Sequence, residues 1–204
     1  FTFIGDGGTS EGDFSEALNF AGVWQAPVVF TIQNNQYAIS VPVHAQTNSI
    51  NLAVKSVAFG MPGIKVDGND FFAMYQAYQT AAEYSRSGNG PVLIEAFTYR
   101  LGAQTTSDAP TKYRKKEEET EGGLSDPLLR LKQYMEKNGI WDIDEEKLKE
   151  EYKEDIGQQF IDAEENKTYP LEDVFNYMYT ELPDELKRQK AEYEQYLNWK
   201  ESRK

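Results

Sequence analysis

Residues 5–35 read GDGGTSEGDFSEALNFAGVWQAPVVFTIQNN, and this stretch decides the fold. The residues before it, Phe1 to Ile4, are aromatic or β-branched, which is typical of a short buried strand. After the glycines, Phe14 to Ala21 carries apolar residues at helical spacing. Val28 to Ile32 then forms a near-continuous apolar run, as in a buried parallel strand. We therefore predict a strand–helix–strand unit.

Each strand of this unit ends in a polar loop, and a parallel arrangement brings both loops to the same edge of the sheet. In the first loop, Gly-Asp-Gly-Gly leaves backbone amides open to an anion, because glycines carry no Cβ. In addition, Asp6 and an asparagine after the second strand supply hard oxygen ligands, which suit Mg²⁺ held largely by phosphates. Gly-Asp-Gly alone is most often a turn and an Asn-Asn pair alone is most often a polar strand end, so it is their pairing that favours a phosphate-binding site.

The spacing from Gly5-Asp6-Gly7 to Asn34-Asn35 matches the thiamine diphosphate motif, in which GDG is followed at a set distance by NN. The fuller wording from Gly5 to Ser40 resembles the α subunits of 2-oxo acid dehydrogenase E1 components, and among them the bacterial pyruvate dehydrogenases most. The resemblance is strongest from Ile4 to Arg114 and diffuse afterwards. It implies that the chain is the C-terminal fragment of such a subunit.

The resemblance implies thiamine diphosphate and Mg²⁺ as cofactors, and it implies a residue for each contact. The side chains of Asp6 and Asn35 and the backbone carbonyl of Tyr37 would hold Mg²⁺. The amides of Gly7 and Gly8 would face the diphosphate. The full set of cofactor-binding residues implied in these two loops is Asp6, Gly7, Gly8, Asn35, Tyr37 and Ile39.

A second polar loop, residues 100–114, reads RLGAQTTSDAPTKYR and resembles the phosphate-side loop of the family, R-x-G-x-H-[ST] and later S-D-D-P-x-x-Y-R. Arg100, Tyr113 and Arg114 match this pattern, and with Gln104 they are the implied catalytic residues. Gln104 stands where the family has His, and it would also contact the cofactor. Glutamine can donate a hydrogen bond but cannot titrate as histidine does. Ala109 stands where a second Asp is usual.

The alternation of helices with buried strands up to residue 99 predicts a doubly wound α/β fold with a mostly parallel sheet. Beyond residue 114 the apolar spacing becomes helical throughout, which predicts a helical C-terminal appendage. We expect two domains. Residues 1–118 form the thiamine diphosphate- and Mg-binding domain, whose N-terminal part is missing, and residues 119–204 form a helical region at a subunit interface.

Composition narrows the possible partners and compartments. The net charge of −13 argues against nucleic acid, since binding to phosphates needs an excess of Lys and Arg. The chain has no cysteine, which excludes a disulfide scaffold and thiol catalysis and fits a reducing compartment. No apolar run is long enough to predict a membrane span. We expect a bacterial cytoplasmic protein, with the mitochondrial matrix as the other possibility.

The family resemblance implies a reaction that needs partners. An E1 β subunit would contribute the aminopyrimidine side of the cofactor site in an α2β2 heterotetramer, so this subunit alone would be inactive. The assembled enzyme would decarboxylate a small 2-oxo acid, with pyruvate first, and then reductively acylate the lipoyl domain of an E2 component.

Other functions remain open from the sequence. Gln104 and Ala109 allow a catalytically impaired homologue that keeps cofactor binding or a structural role. A branched-chain 2-oxo acid or acetoin dehydrogenase is a close alternative. A transketolase-like or acetolactate-type enzyme shares GDG and NN, but the second loop and the helical appendage argue against it. The single histidine, His44, does not occupy the family's His position, and we expect it in an exposed loop.

Overall fold

The computed structural model describes residues 1–166 and 169–203. It divides into two compact units, Phe1–Trp141 and Asp142–Lys204. The strands are β1 (Thr2–Gly5), β2 (Val29–Asn34), β3 (Tyr37–Ala38), β4 (Val41–Pro42), β5 (Gly63–Asp67) and β6 (Val92–Phe97). The α-helices are α1 (Gly12–Trp24), α2 (Val43–Gln46), α3 (Phe71–Tyr84), α4 (Lys116–Gly123), α5 (Pro127–Lys137), α6 (Glu145–Glu165), α7 (Leu171–Phe175) and α8 (Asp184–Glu201). Short 3-10 helices cover Gly7–Ser10, Ala53–Phe59 and Pro110–Lys112.

A four-stranded parallel sheet organises the first unit, in the order β1-β2-β6-β5. Helices cover both faces of the sheet, and each face has its own buried cluster. One cluster joins α1, β2, β6 and the segment around the 3-10 helix Ala53–Phe59: Phe14, Leu18, Ile32, Leu52, Met61 and Leu93. The other joins β2, β6 and α3: Val29, Ala81, Val92 and Ile94. The predicted doubly wound α/β fold is therefore confirmed.

The connection from β4 to β5 differs from a simple sequence expectation. Leu52, Val54 and Val57 suggest an α-helix capped at Asn48 or Ser49, but the structure has the 3-10 helix Ala53–Phe59 instead. The Asn51 side chain accepts a hydrogen bond from the Val54 amide at 2.9 Å. The two amides before Val54 donate to a buried carboxylate of the sheet, described below, so the turn is set by a tertiary contact.

Helix α5 is fixed to the sheet region by its first turn. The Asp126 side chain accepts hydrogen bonds from the Leu128 and Leu129 amides at 2.8 and 3.2 Å, as an N-cap does. Arg130 then donates to Asp67 at 2.8 Å and to Asp70 at 3.2 Å. Helices α4 and α5 thus belong to the first compact unit. The functional division, with cofactor binding in 1–118 and subunit contact in 119–204, stays a prediction.

The second unit is helical, as predicted for the C-terminal appendage. Its longest helices, α6 and α8, carry surface ion pairs such as Lys147–Glu151, whose nitrogen and oxygen lie 3.7 Å apart. Phe175 of α7 is its buried aromatic residue, and Lys190 of α8 pairs with Glu172 of α7 at 3.7 Å. Across the described ranges of both units, no helix combines the length and apolar character needed to cross a membrane.

Candidate functional site

The Gly-Asp-Gly-Gly turn follows β1 directly, and its aspartate is buried. Only 2% of Asp6 is exposed. The Thr9 amide and hydroxyl both donate to the Asp6 carbonyl, at 3.1 and 2.7 Å, and fix the turn. One carboxylate oxygen of Asp6 accepts a hydrogen bond from the side-chain amide of Gln46 at 3.0 Å. Among the described residues, no Lys or Arg forms an ion pair with this carboxylate. A buried carboxylate without a cationic partner is expensive, and it fits a site for a metal cation.

The glycines of this turn are needed for packing. A Cβ on Gly7 would lie 2.6 Å from the Ala38 Cβ, and one on Gly8 would lie 2.6 Å from the Ile4 Cγ1. Gly7 therefore lets the turn contact the hairpin formed by β3 and β4. Gln46 also links the turn to the hairpin, since its side-chain amide donates to the Val41 carbonyl at 3.0 Å as well. The two loops that the sequence predicts at one sheet edge are in contact.

The second loop is a tight turn built by two asparagines. The Asn34 Oδ1 accepts from the Gln36 amide, and the Asn35 Oδ1 accepts from the Tyr37 amide, both at 3.1 Å. Gln36, which lies between Asn35 and Tyr37, has a φ of +74°, a left-handed conformation that non-glycine residues adopt at a cost. The Gln36 side chain donates to the Thr98 carbonyl at 2.9 Å and helps to hold this conformation. The turn therefore fixes where Asn35 and the Tyr37 carbonyl lie.

Ile39 is the most strained residue of the site. It begins the two-residue connection between β3 and β4 with a φ of +53°, where glycine is usual and a β-branched residue is an outlier. Its side chain is more than half exposed, so packing does not explain the choice of residue. Residues in such conformations cluster at functional sites.

Arg100 joins the loop of residues 100–114 to this hairpin. Its guanidinium donates to the Ile39 carbonyl at 2.7 Å and to the Tyr37 carbonyl at 3.3 Å. It also donates to the Gln104 Oε1 at 2.8 Å and to the Tyr113 hydroxyl at 2.6 Å. One side chain thus brings together four of the residues that the resemblance implies for the site.

Asp108 completes the arrangement from within the loop. Its carboxylate accepts from the Gln104 amide at 2.8 Å and from the Tyr113 hydroxyl at 2.9 Å, and it lies 3.7 Å from Arg100. The hydrogen bond from the Gln104 N–H lowers the pKa of this carboxyl most, and the Tyr113 hydroxyl and the charge of Arg100 lower it further, so the pKa lies below its usual value. Burial, and then the hydrogen bond to Asp108, raise the pKa of Tyr113.

Arg114, the last residue of the loop of residues 100–114, anchors the start of that loop. Its side chain is buried and donates to the carbonyls of Arg100, Leu101 and Gly102, the last two at 2.9 and 3.1 Å. It also pairs with Glu119 of α4 at 2.9 Å. These contacts give Arg114 a supporting position, and its catalytic assignment stays a prediction.

Tyr37 also contacts α4 through its ring hydroxyl, which donates to the Glu118 carboxylate at 2.6 Å. Burial and this carboxylate raise the pKa of Tyr37 to about 12, so the phenol stays protonated at neutral pH. The ring lies 5.7 Å from that of Tyr113, between centroids. Tyr37 therefore anchors the hairpin to α4 with its side chain, and the metal-binding role of its carbonyl stays a prediction.

Glu95 and Lys55 support the site and were missed from the sequence. Glu95 lies in β6 and its carboxylate is fully buried against Asn34. Lys55 donates to the Thr9 carbonyl at 2.7 Å, next to the Asp6 turn. A lone carboxylate inside the apolar strand VLIEAF was the available signal for Glu95. Nothing in the sequence pattern indicates that Lys55 reaches Thr9.

His44 is not among the residues that Arg100 contacts by hydrogen bonds. It is exposed, as expected, although it falls in the one-turn helix α2. It borders a cavity of about 560 Å³ that is also lined by Asn34, Lys65, Glu95 and Glu118. No hydrogen bond joins His44 to Gln104 in the described part of the chain, so the geometry gives no sign that His44 replaces the family histidine.

Comparison with known proteins gives a consistent family match. The model described as "Dehydrogenase E1 component" matches residues 1–172. The pyruvate dehydrogenase E1 component subunit alpha of Acholeplasma laidlawii is 49% identical over 95% of this chain and 57% of its own length. The 3-methyl-2-oxobutanoate dehydrogenase subunit alpha of Mycobacterium tuberculosis is 44% identical over 93% and 52%. The Bacillus subtilis pyruvate dehydrogenase E1 component subunit alpha is 44% identical over 95% and 53%. The chain spans about half the length of these relatives.

Proposed function

Because the chain belongs to the dehydrogenase E1 component family, we propose that it carries the Mg²⁺- and diphosphate-binding part of a 2-oxo acid dehydrogenase E1 α subunit. Membership in this family implies thiamine diphosphate as the cofactor. When bound, thiamine diphosphate supplies a carbanion nucleophile and an electron sink. The protein binds and orients it.

The observation that carries this proposal is the buried Asp6 carboxylate, which has no cationic partner among the described residues and packs beside the Tyr37 hairpin. We assign Mg²⁺ to the Asp6 and Asn35 side chains and the Tyr37 carbonyl, an all-oxygen set of the kind that this ion prefers. The Gly7 and Gly8 amides would bind the diphosphate. The strained Ile39 would contact the cofactor from the hairpin.

The loop of residues 100–114 would close the phosphate side. Arg100 orients Gln104 through the Gln104 Oε1, which leaves the amino group of this side chain as a donor for a phosphate oxygen. The Asp108 and Tyr113 contacts hold Arg100 in place. Because Gln104 cannot exchange a proton near neutral pH, it can bind but cannot act as a general acid or base.

The named relatives support a proposal for the substrate, the partners and the compartment. We propose pyruvate as the 2-oxo acid, as in the Acholeplasma and Bacillus relatives, with a branched-chain 2-oxo acid as the nearest alternative because of the Mycobacterium relative. An E1 β subunit, in an α2β2 heterotetramer, would complete the site. The product would be transferred to the lipoyl domain of an E2 component. The bacterial relatives favour the cytoplasm.

A second candidate function is a homologue that binds the cofactor but has impaired catalysis. The specific observation in its favour is Gln104, whose side chain is held by Arg100 at the position where the family has His. In this alternative the Mg²⁺ ligands are retained and only proton transfer is lost.

An activity assay separates these two functions. The full-length protein, assembled with its β partner, is supplied with pyruvate, thiamine diphosphate, Mg²⁺ and an artificial electron acceptor, beside a Gln104→His variant. Decarboxylation by the parent would support the enzyme and show that this position need not titrate. Activity in the variant alone would identify Gln104 as the lesion. Inactivity of both, with cofactor bound, would contradict the enzyme and favour the impaired homologue.

A further inference from the structure

A carboxylate lies in the middle of the sheet, on β6, one of its two central strands. Glu95 is fully buried. Its Oε1 accepts from the Asn34 Nδ2 at 2.7 Å, and its Oε2 accepts from the Leu52 and Ala53 amides at 2.8 and 2.9 Å. Three donors compensate the burial of this group without a cation. We propose that Glu95 is a positioning residue for the Mg²⁺ end of the site, acting through Asn34. This role rests on the proposed function.

The orientation of the Asn34 amide links Glu95 to the metal-binding turn. Because the amino group of Asn34 donates to Glu95, its oxygen is left to accept from the Gln36 amide, at 3.1 Å. Gln36 needs that support because its φ is +74°. The turn that Gln36 completes carries the side chain of Asn35 and the carbonyl of Tyr37. An error in the orientation of Asn34 would therefore displace two proposed ligands.

Glu95 also supports the other loop, through the 3-10 helix Ala53–Phe59. The Leu52 and Ala53 amides that bind Glu95 lie at the start of this helix. One turn later, Lys55 donates to the Thr9 carbonyl and hydroxyl at 2.7 and 2.9 Å, and the Thr9 hydroxyl donates to the Asp6 carbonyl at 2.7 Å. The same carboxylate is thus connected by hydrogen bonds to both halves of the proposed metal site.

A purely structural role would need only that the Glu95 side chain keeps enough hydrogen bonds to remain buried. The positioning role also depends on which group donates and which accepts in each hydrogen bond. In Glu95→Gln, the new oxygen can still accept from Leu52 and Ala53, and the new amino group then faces the amino group of Asn34. If Asn34 rotates to accept, its amino group faces the Gln36 N–H instead. One hydrogen bond is lost in either orientation.

The reciprocal variant of Asn34 makes this argument testable. In Asn34→Asp alone, two buried carboxylates face each other. In the double variant Glu95→Gln with Asn34→Asp, the new amide donates to the new carboxylate, and the second oxygen of that carboxylate still accepts from the Gln36 N–H. The double variant therefore restores every hydrogen bond of the original arrangement with one donor–acceptor pair reversed.

The experiment is a calorimetric titration of Mg²⁺ at saturating thiamine diphosphate on the full-length protein assembled with its β partner, alongside thermal unfolding without ligands. We expect Glu95→Gln to weaken Mg²⁺ binding about tenfold, and the double variant to recover to within about threefold of the parent. Glu83→Gln, on the exposed surface of α3, is the matched control and should leave binding unchanged.

Two results would overturn the inference. The first is parental Mg²⁺ affinity in Glu95→Gln, even if its melting temperature falls, since a structural role alone predicts that outcome. The second is a double variant that regains its melting temperature while Mg²⁺ affinity stays as weak as in the single variants. If the parent itself binds no thiamine diphosphate, the proposed function fails first, and that result is distinct from both.

Discussion

The strained backbone at Ile39 makes a prediction about stability that reverses the usual rule for loops. Replacing glycine by alanine in a loop normally stabilises a protein by about 0.4–1 kcal/mol, because alanine reduces the entropy of the unfolded chain. At Ile39 the φ of +53° penalises any residue with a Cβ by roughly 1–2 kcal/mol. The two effects oppose each other, and the second is larger. We therefore expect Ile39→Gly to be more stable than Ile39→Ala by ~0.5–1 kcal/mol.

Comparing these two variants removes the contribution of the lost side chain, since both delete it beyond the Cβ. Urea unfolding followed by tryptophan fluorescence gives the free energy of unfolding for each. Ile50, in the connection between β4 and β5, provides the control, because it is the same residue type, is 88% exposed and has no positive φ. There, alanine should be the more stable variant. If alanine is also more stable at residue 39, the reasoning about backbone strain is refuted.

Three further predictions concern the anchors of the site. Arg114→Met leaves all three loop carbonyls without their donor, so the free energy of unfolding should fall by about 3 kcal/mol in urea, and a loss below about 1 kcal/mol would contradict the anchor. Because the pKa of Asp108 is lowered in the folded state, its stabilising contribution is present at neutral pH and is lost as pH falls through that folded pKa. Proteolysis of residues 100–114 should therefore rise below about pH 4 in the parent and vary less with pH in Asp108→Asn; identical profiles would argue against this contact. In an absorbance titration of the tyrosines, the component with a pKa of about 12 should disappear in Tyr37→Phe. If that component persists, it belongs to another tyrosine.

The fold and the meeting of the first two loops could be predicted because they depend on local pattern. The apolar residues from Val28 to Ile32 predict a buried strand, as β2 is, and a parallel unit sends both polar ends to one edge. The expectation of a buried strand at Phe1 to Ile4 was wrong, because β1 is an edge strand whose Phe3 is 58% exposed. The contact between Gly7 and Ala38 agrees with this geometry. The reason for the glycines was not predicted, since the sequence suggested room for an anion and the structure adds close packing on the hairpin.

What could not be predicted depends on contacts between distant residues. The buried charge of Glu95 was visible within β6, but its partners Asn34, Leu52 and Ala53 lie 42–61 positions away. Those partners also explain why a 3-10 helix forms where local spacing suggests an α-helix. The positive φ of Ile39 is likewise hidden, because local propensity places glycine or asparagine there.

The central claim is that Asp6 binds a metal ion together with a diphosphate. The most direct measurement is calorimetry of thiamine diphosphate binding, with and without Mg²⁺, to the full-length protein assembled with its β partner and to its Asp6→Asn variant, with Asp13→Asn on the exposed first turn of α1 as the control. We predict that Mg²⁺ strengthens binding in the parent and in the control, and that Asp6→Asn loses this Mg²⁺-dependent gain. An Asp6→Asn variant that binds the cofactor as tightly as the parent, with the same dependence on Mg²⁺, would contradict the site.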